Sequence, residues 1–159
     1  MKTTTILAAA LPLIGFFAPP LATAGITDGL GKWEGSGTAF EISGKDLGGF
    51  TVSLTRKSLG TAKVRTDGKV KLAGGQEIAF WQEFEDYGPS GFTLVSNNGA
   101  GGGRCFANGM CQTFEQRADG HAFATTIVKD GADRVRIVVT ELDQGKAVGF
   151  FQQTLLKKP

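Results

Sequence analysis

The chain reads as all-β: an antiparallel up-and-down β-barrel of about eight to ten strands joined mostly by short hairpins. Three observations lead there. Apolar and polar residues alternate with a period of two along several stretches. Asp-Gly, Asn-Gly and Gln-Gly pairs stand between those stretches, and glycine takes the positive φ that tight hairpins need. No sustained apolar stripe of helical period follows residue 24.

Taken in order, the first strand is expected to begin at Gly31-Lys32-Trp33. Phe50-Thr-Val-Ser-Leu54 alternates apolar with hydroxyl side chains, as a strand with one buried face does. In residues 76–87, Ile78, Phe80, Gln82 and Phe84 share one face, while Ala79, Trp81, Glu83 and Glu85 share the other. Phe123-Ala-Thr-Thr-Ile127 and Val135-Arg-Ile-Val-Val139 repeat the pattern. Turns are expected at Asp67-Gly68, Asn108-Gly109, Asp119-Gly120, Asp130-Gly131 and Gln144-Gly145. A closed barrel hides both the apolar faces and the edges of so many strands; a β-sandwich, the alternative, leaves edges exposed.

Gly31-Lys32-Trp33 resembles the G-x-W element that opens the first strand in the lipocalin and wider calycin group. That resemblance implies a barrel with Trp33 closing one end. The longer stretch Gly31-Lys-Trp-Glu-Gly-Ser-Gly37 is similar to the opening of small haem-binding β-barrels related to the nitrobindins.

Residues 1–24 read as a secretory signal peptide. Lys2 is followed by an apolar run from Ile6 to Phe17 and by Ala22-Thr23-Ala24, an A-x-A cleavage signature. Residues 25–159 then form a single calycin-like barrel domain, periplasmic or secreted. No later segment has the apolar length of a membrane span. The formal net charge is +2, and it drops by one without Lys2, so nucleic acid is not an expected partner.

Export decides the cysteine chemistry. A three-residue loop Ala107-Asn108-Gly109 sets Phe106 opposite Met110 and Cys105 opposite Cys111, and directly opposed strand residues lie within disulfide reach. In an oxidising compartment the pair closes. Five residues separate the cysteines and only one histidine exists, which does not match zinc-type spacing. The glycine run at 99–103 opens no helix and is read as a mobile flap beside a barrel mouth.

Functionally, the expected site is a barrel interior rich in phenylalanine, of which the chain has 12. The candidate ligand-binding residues are Phe80, Gln82, Phe84, Phe92, Leu94, Phe114 and Phe123, with Tyr87, Arg104 and His121 at the rim. Phe114 enters this set because a two-residue Asp119-Gly120 turn puts it on the face of Phe123. The expected partner is a small apolar ligand. The alternative is a packed barrel acting as a protein-binding or inhibitor module, presenting Trp81 and Phe151 outward. No catalytic motif stands out, and the chain is not read as an enzyme. No cofactor is expected; the one route to haem is His121 as a single proximal ligand, against its plainer reading as a polar residue flanking a turn.

Overall fold

Ten strands close on themselves in the computed structural model, which describes residues 29–88, 91–106 and 109–159. The leader expected at 1–24 lies outside the described residues. The strands are β1 (Gly31–Glu41), β2 (Asp46–Ser58), β3 (Lys63–Leu72), β4 (Glu77–Asp86), β5 (Phe92–Ser96), β6 (Gly99–Cys105), β7 (Met110–Arg117), β8 (His121–Lys129), β9 (Arg134–Asp143) and β10 (Lys146–Lys157). Each pairs antiparallel with its sequence neighbours, and β1 pairs with β10 to complete the ring. Closure leaves no open sheet edge. The two ends of the barrel differ. Gly31 and Lys157 mark the terminal end; the turns at 96–99, 117–121 and 143–146 mark the far end.

Alternation decides which side chains enter. Phe50, Val52 and Leu54 from β2, Phe80 and Phe84 from β4, and Val135, Ile137 and Val139 from β9 are buried in one core cluster. Each fully buried side chain of this size contributes about 1.5–3 kcal/mol. Trp33 plugs the terminal end. Its indole Nε1 donates to the Gly29 carbonyl at 2.8 Å, and the Lys157 ammonium lies 6.0 Å from its ring centre.

Glycine and phenylalanine work as a pair. Gly35 and Gly37 lie in β1 and Gly99, Gly101 and Gly103 in β6, on opposite sides of the ring. A Cβ at Gly35 would run into the Thr154 carbonyl, and one at Gly101 into that of Phe114. The neighbouring backbones therefore approach closely at these two strands, as they do where a barrel wall bends. Aromatic rings fold over the bare backbone: Phe92 Cζ stands 2.8 Å from where a Gly103 Cβ would be, and Phe50 and Phe80 cover Gly37 and Gly68.

Two expectations fail for this reason. The glycine run at 99–103 is not a flap but the core of β6, paired on both sides. Asp67-Gly68 is no turn; it lies inside β3 opposite Trp81 and Phe80, with Gly68 making room for the Phe80 ring. The expected Gln144-Gly145 hairpin is present, and both residues have positive φ, 48° and 78°. The Cys105–Cys111 disulfide is also present, with the two residues directly opposed between β6 and β7. Phe106 donates to the Met110 carbonyl across that hairpin at 2.8 Å.

Candidate functional site

The barrel interior carries more polar chemistry than a shape-holding core requires. Nine polar side chains are buried among the described residues: Arg56, Thr66, Gln82, Ser96, Thr113, Glu115, Thr125, Glu141 and Gln153. Arg56, Thr66, Gln82 and Ser96 stand in one cross-strand row from β2 to β5. Glu115, Phe123 and Glu141 form another across β7, β8 and β9, with Thr113 and Thr125 paired beside it.

Glu115 is held by a short chain of donors. The Ser96 hydroxyl accepts from the Asn98 and Gly99 amides at 2.9 and 3.0 Å, and its own proton goes to Glu115 Oε1 at 2.6 Å. Gln82 Nε2 donates to Glu115 Oε2 at 3.4 Å. Burial pushes the Glu115 carboxyl above its ordinary range, while Ser96, Gln82 and the charge of Arg117 pull the other way. Glu141 behaves alike. Burial raises it, against a contact of 3.0 Å between its Oε1 and His121 Nδ1 and against Arg117. Glu141 Oε2 and the hydroxyls of Thr66, Thr113 and Thr125 are buried with no hydrogen-bond partner. Such atoms are expensive to leave unmade.

The expected site residues divide. Phe80, Gln82, Phe84, Phe92, Leu94 and Phe123 all face inward and are buried. Phe114 does not: it is 47% exposed on the outer wall. The β7–β8 turn has three residues, not two, with the Gly120 amide donating to the Arg117 carbonyl at 3.3 Å. Phe123 therefore pairs with Glu115, and this shift of one residue sends Phe114 out and Glu115 in. The rim residues do not converge. Tyr87 and Arg104 belong to the terminal end, while His121 stands at the far end. Phe151 is likewise not an outward aromatic; it is buried against Phe50, with ring centres 6.1 Å apart, and Phe150 faces out, stacked on Phe40. Trp81 does face outward, covered by the Arg65 guanidinium at 4.8 Å.

The interior is closely filled. Thr66, Gln82, Glu115, Phe123 and Ile127 have no exposed surface. Concavities of about 500 Å³ run instead over outer walls, one across Lys32, Ser53, Asp67 and Trp81, another across Gln112, Phe114, Thr126 and Val138. Among the described residues no group of three His, Cys, Asp or Glu side chains is arranged to hold a metal ion. His121, the one residue considered for haem, stands at the far end with its Nδ1 3.0 Å from Glu141 Oε1.

No family model and no curated protein matches the sequence. Solved structures do match. An S-type phycobiliprotein lyase from Guillardia theta is 11% identical over 82% of this chain and 89% of its own, with a TM-score of 0.69. The protein Rv2717c of M. tuberculosis is 12% identical over 82% and 92%, with a TM-score of 0.61. The barrel is calycin-like in fold. A DUF3598-family protein of unknown function from Nostoc punctiforme is 13% identical over 89% of this chain, at a TM-score of 0.63, and this chain spans about half of its length, 51%.

Sequence reasoning missed the most polar members of this calycin-like interior. Glu141 continues the inward series of Val135, Ile137 and Val139, so extending that alternation by one step finds it. Glu115 and Thr113 share the parity of Cys111, which the disulfide already places inside. Thr66 carried no such signal, because the supposed turn at Asp67-Gly68 hid its strand.

Proposed function

We propose that this protein is an exported binding barrel that takes a small, largely apolar molecule into its interior, with the polar belt reading that molecule's heteroatoms. One observation carries the reading: four inward polar atoms, on Thr66, Thr113, Thr125 and Glu141, are buried without partners. Each unmet group costs about 1–3 kcal/mol, and a core needing only to hold its shape would carry apolar side chains at these positions. Inward rings such as Phe84, Phe92 and Phe123 offer the apolar contact that a ligand of this kind needs. The A-x-A leader and the oxidised Cys105–Cys111 pair support an oxidising compartment outside the cytosol. The described cysteines are joined to each other, and we read a binder rather than an enzyme.

The close filling of the interior favours a second reading, the packed protein-binding module. Thermal unfolding against a panel of apolar small molecules separates the two. A true ligand raises the melting temperature progressively with its concentration. A flat response across the panel, with no bound mass in native mass spectra of protein purified from its own host, rejects ligand binding and leaves the packed module.

A further inference from the structure

We propose that the far mouth of the barrel is a site for a small organic cation, an amine or guanidine, which enters by displacing the protein's own Arg117. The proposal deepens the ligand-binding reading above and rests on it. Arg117 occupies the last inward position of β7, opposite Gly99. Its guanidinium carbon lies 5.8 Å from the Phe123 ring centre, and its Nη2 is 3.1 Å from Asp119 Oδ2. Phe123 is flanked in the sheet by Glu115 on one side and Glu141 on the other. An aromatic face between two desolvated carboxylates is a cradle for a cation. Arg117 already plays that part, since its charge draws both carboxyls down against the effect of burial.

Arg117 does not exhaust the site. Four carboxylates, those of Glu115, Asp119, Glu141 and Asp143, gather along β7, β8 and β9 at this mouth, facing one guanidinium and one imidazole. Lys146, opposite Asp143 across the next turn, points to solvent. Glu141 Oε2 is buried and accepts nothing, and the Thr113 and Thr125 hydroxyls wait one pair deeper. These acceptors suit a charged N–H donor; an anion would add like charge to a mouth already rich in it. Displacing Arg117 exchanges one cation for another against the same ring and carboxyls, so the charge at the mouth is unchanged. The volume that Arg117 leaves is that of its own planar head, so the head group that replaces it is small.

The test is calorimetric titration of the full chain with octylamine, octanol and octanoate, repeated on R117Q and E141Q after circular dichroism shows that each variant folds. Octylamine is expected to bind at least about tenfold more tightly than the other two. R117Q removes the internal competitor and strengthens amine binding severalfold, whereas E141Q weakens it about tenfold and leaves octanol unchanged. Equal affinity for all three probes, or weaker amine binding in R117Q, overturns the cation assignment while leaving interior binding in place. If none of the three binds to any of the proteins, the ligand-binding reading itself falls. Should E141Q not fold, the R117Q result alone decides.

Discussion

The Ser96 hydroxyl donates to Glu115 Oε1 at 2.6 Å, tying β5 to β7 across the bare backbone of β6. No side chain of β6 has to mediate that contact, because Gly99, Gly101 and Gly103 present nothing inward. The bond links a turn at the far mouth to the most deeply buried carboxylate, so it couples the integrity of the mouth to that of the core.

Ser96→Ala should therefore destabilise the fold by about 1–3 kcal/mol, the cost of leaving a buried acceptor short of a donor. Urea unfolding measures it, with the exposed Thr93→Ala on the same strand as the control, expected within about 0.5 kcal/mol of wild type. Equal midpoints for the two variants would show that the Ser96 bond contributes nothing.

The pH dependence follows from Glu115 and Glu141, both of which titrate above the ordinary value of 4.5 in the folded protein. Above 4.5 the folded chain holds more protons than the unfolded chain, so each group's contribution is complete below that value and is lost as pH rises through the raised one. On the outer wall, hydrogen bonds from Lys63 and Arg65 hold Glu83 low, and its contribution is lost on acidification instead. Glu83 is common to wild type and variant, so it cancels in a difference. The stability of E141Q relative to wild type should accordingly climb between about pH 4 and about pH 8. A difference that is flat or falling with pH, by denaturant unfolding at both values, would contradict the desolvation of Glu141.

The disulfide closes a short loop, with Cys105 and Cys111 separated by 6 positions. Chain-entropy arithmetic for so small a ring gives about 2 kcal/mol. Unfolding with and without reductant should differ by that amount, and C105S/C111S should behave as the reduced protein does. A reduced protein as stable as the oxidised one would remove the staple from the account of stability.

Glycine substitutions should sort by position. Gly101→Ala sets a methyl against the Phe114 carbonyl and should unfold the barrel or cost several kcal/mol, a backbone clash beyond any rotamer's remedy. Gly74→Ala, in the β3–β4 turn with nothing within 4 Å of the new Cβ, should be neutral or stabilise by about 0.4–1 kcal/mol. Thermal unfolding of both variants checks the pair, and a well-folded G101A would refute the close approach of β6 to β7.

Much of the barrel was legible before any coordinates. The alternation of Phe50, Val52 and Leu54, and of Val135, Ile137 and Val139, states which side chains face in, because the side-chain period of a strand is two whatever its neighbours do. The opposed cysteines were legible for the same local reason: a three-residue turn dictates who faces whom. The polar half of the candidate site was legible only in part. The series Val135, Ile137 and Val139 reaches Glu141 and the parity of Cys111 reaches Glu115, but a turn at 118–120 read one residue too short sends Phe114 inward instead. Phe151 changed sides through the same kind of ambiguity, since Phe150-Phe151 puts one ring on each face without saying which.

The sequence by itself determined the alternation of the clearest strands, the Gln144-Gly145 hairpin, the pairing of Cys105 with Cys111 and the richness in phenylalanine and glycine, all of which depend on neighbours a few positions away. Only the closed ring decided that five glycines of β1 and β6 serve as close-approach points, that the rings of Phe50, Phe80 and Phe92 fold over Gly37, Gly68 and Gly103, and that Glu115, Glu141 and Arg117 meet around Phe123. Those are contacts between strands set by register and by the bending of the wall. A local pattern carries neither, because a slip of one residue leaves it unchanged and yet exchanges the inside of the barrel for the outside.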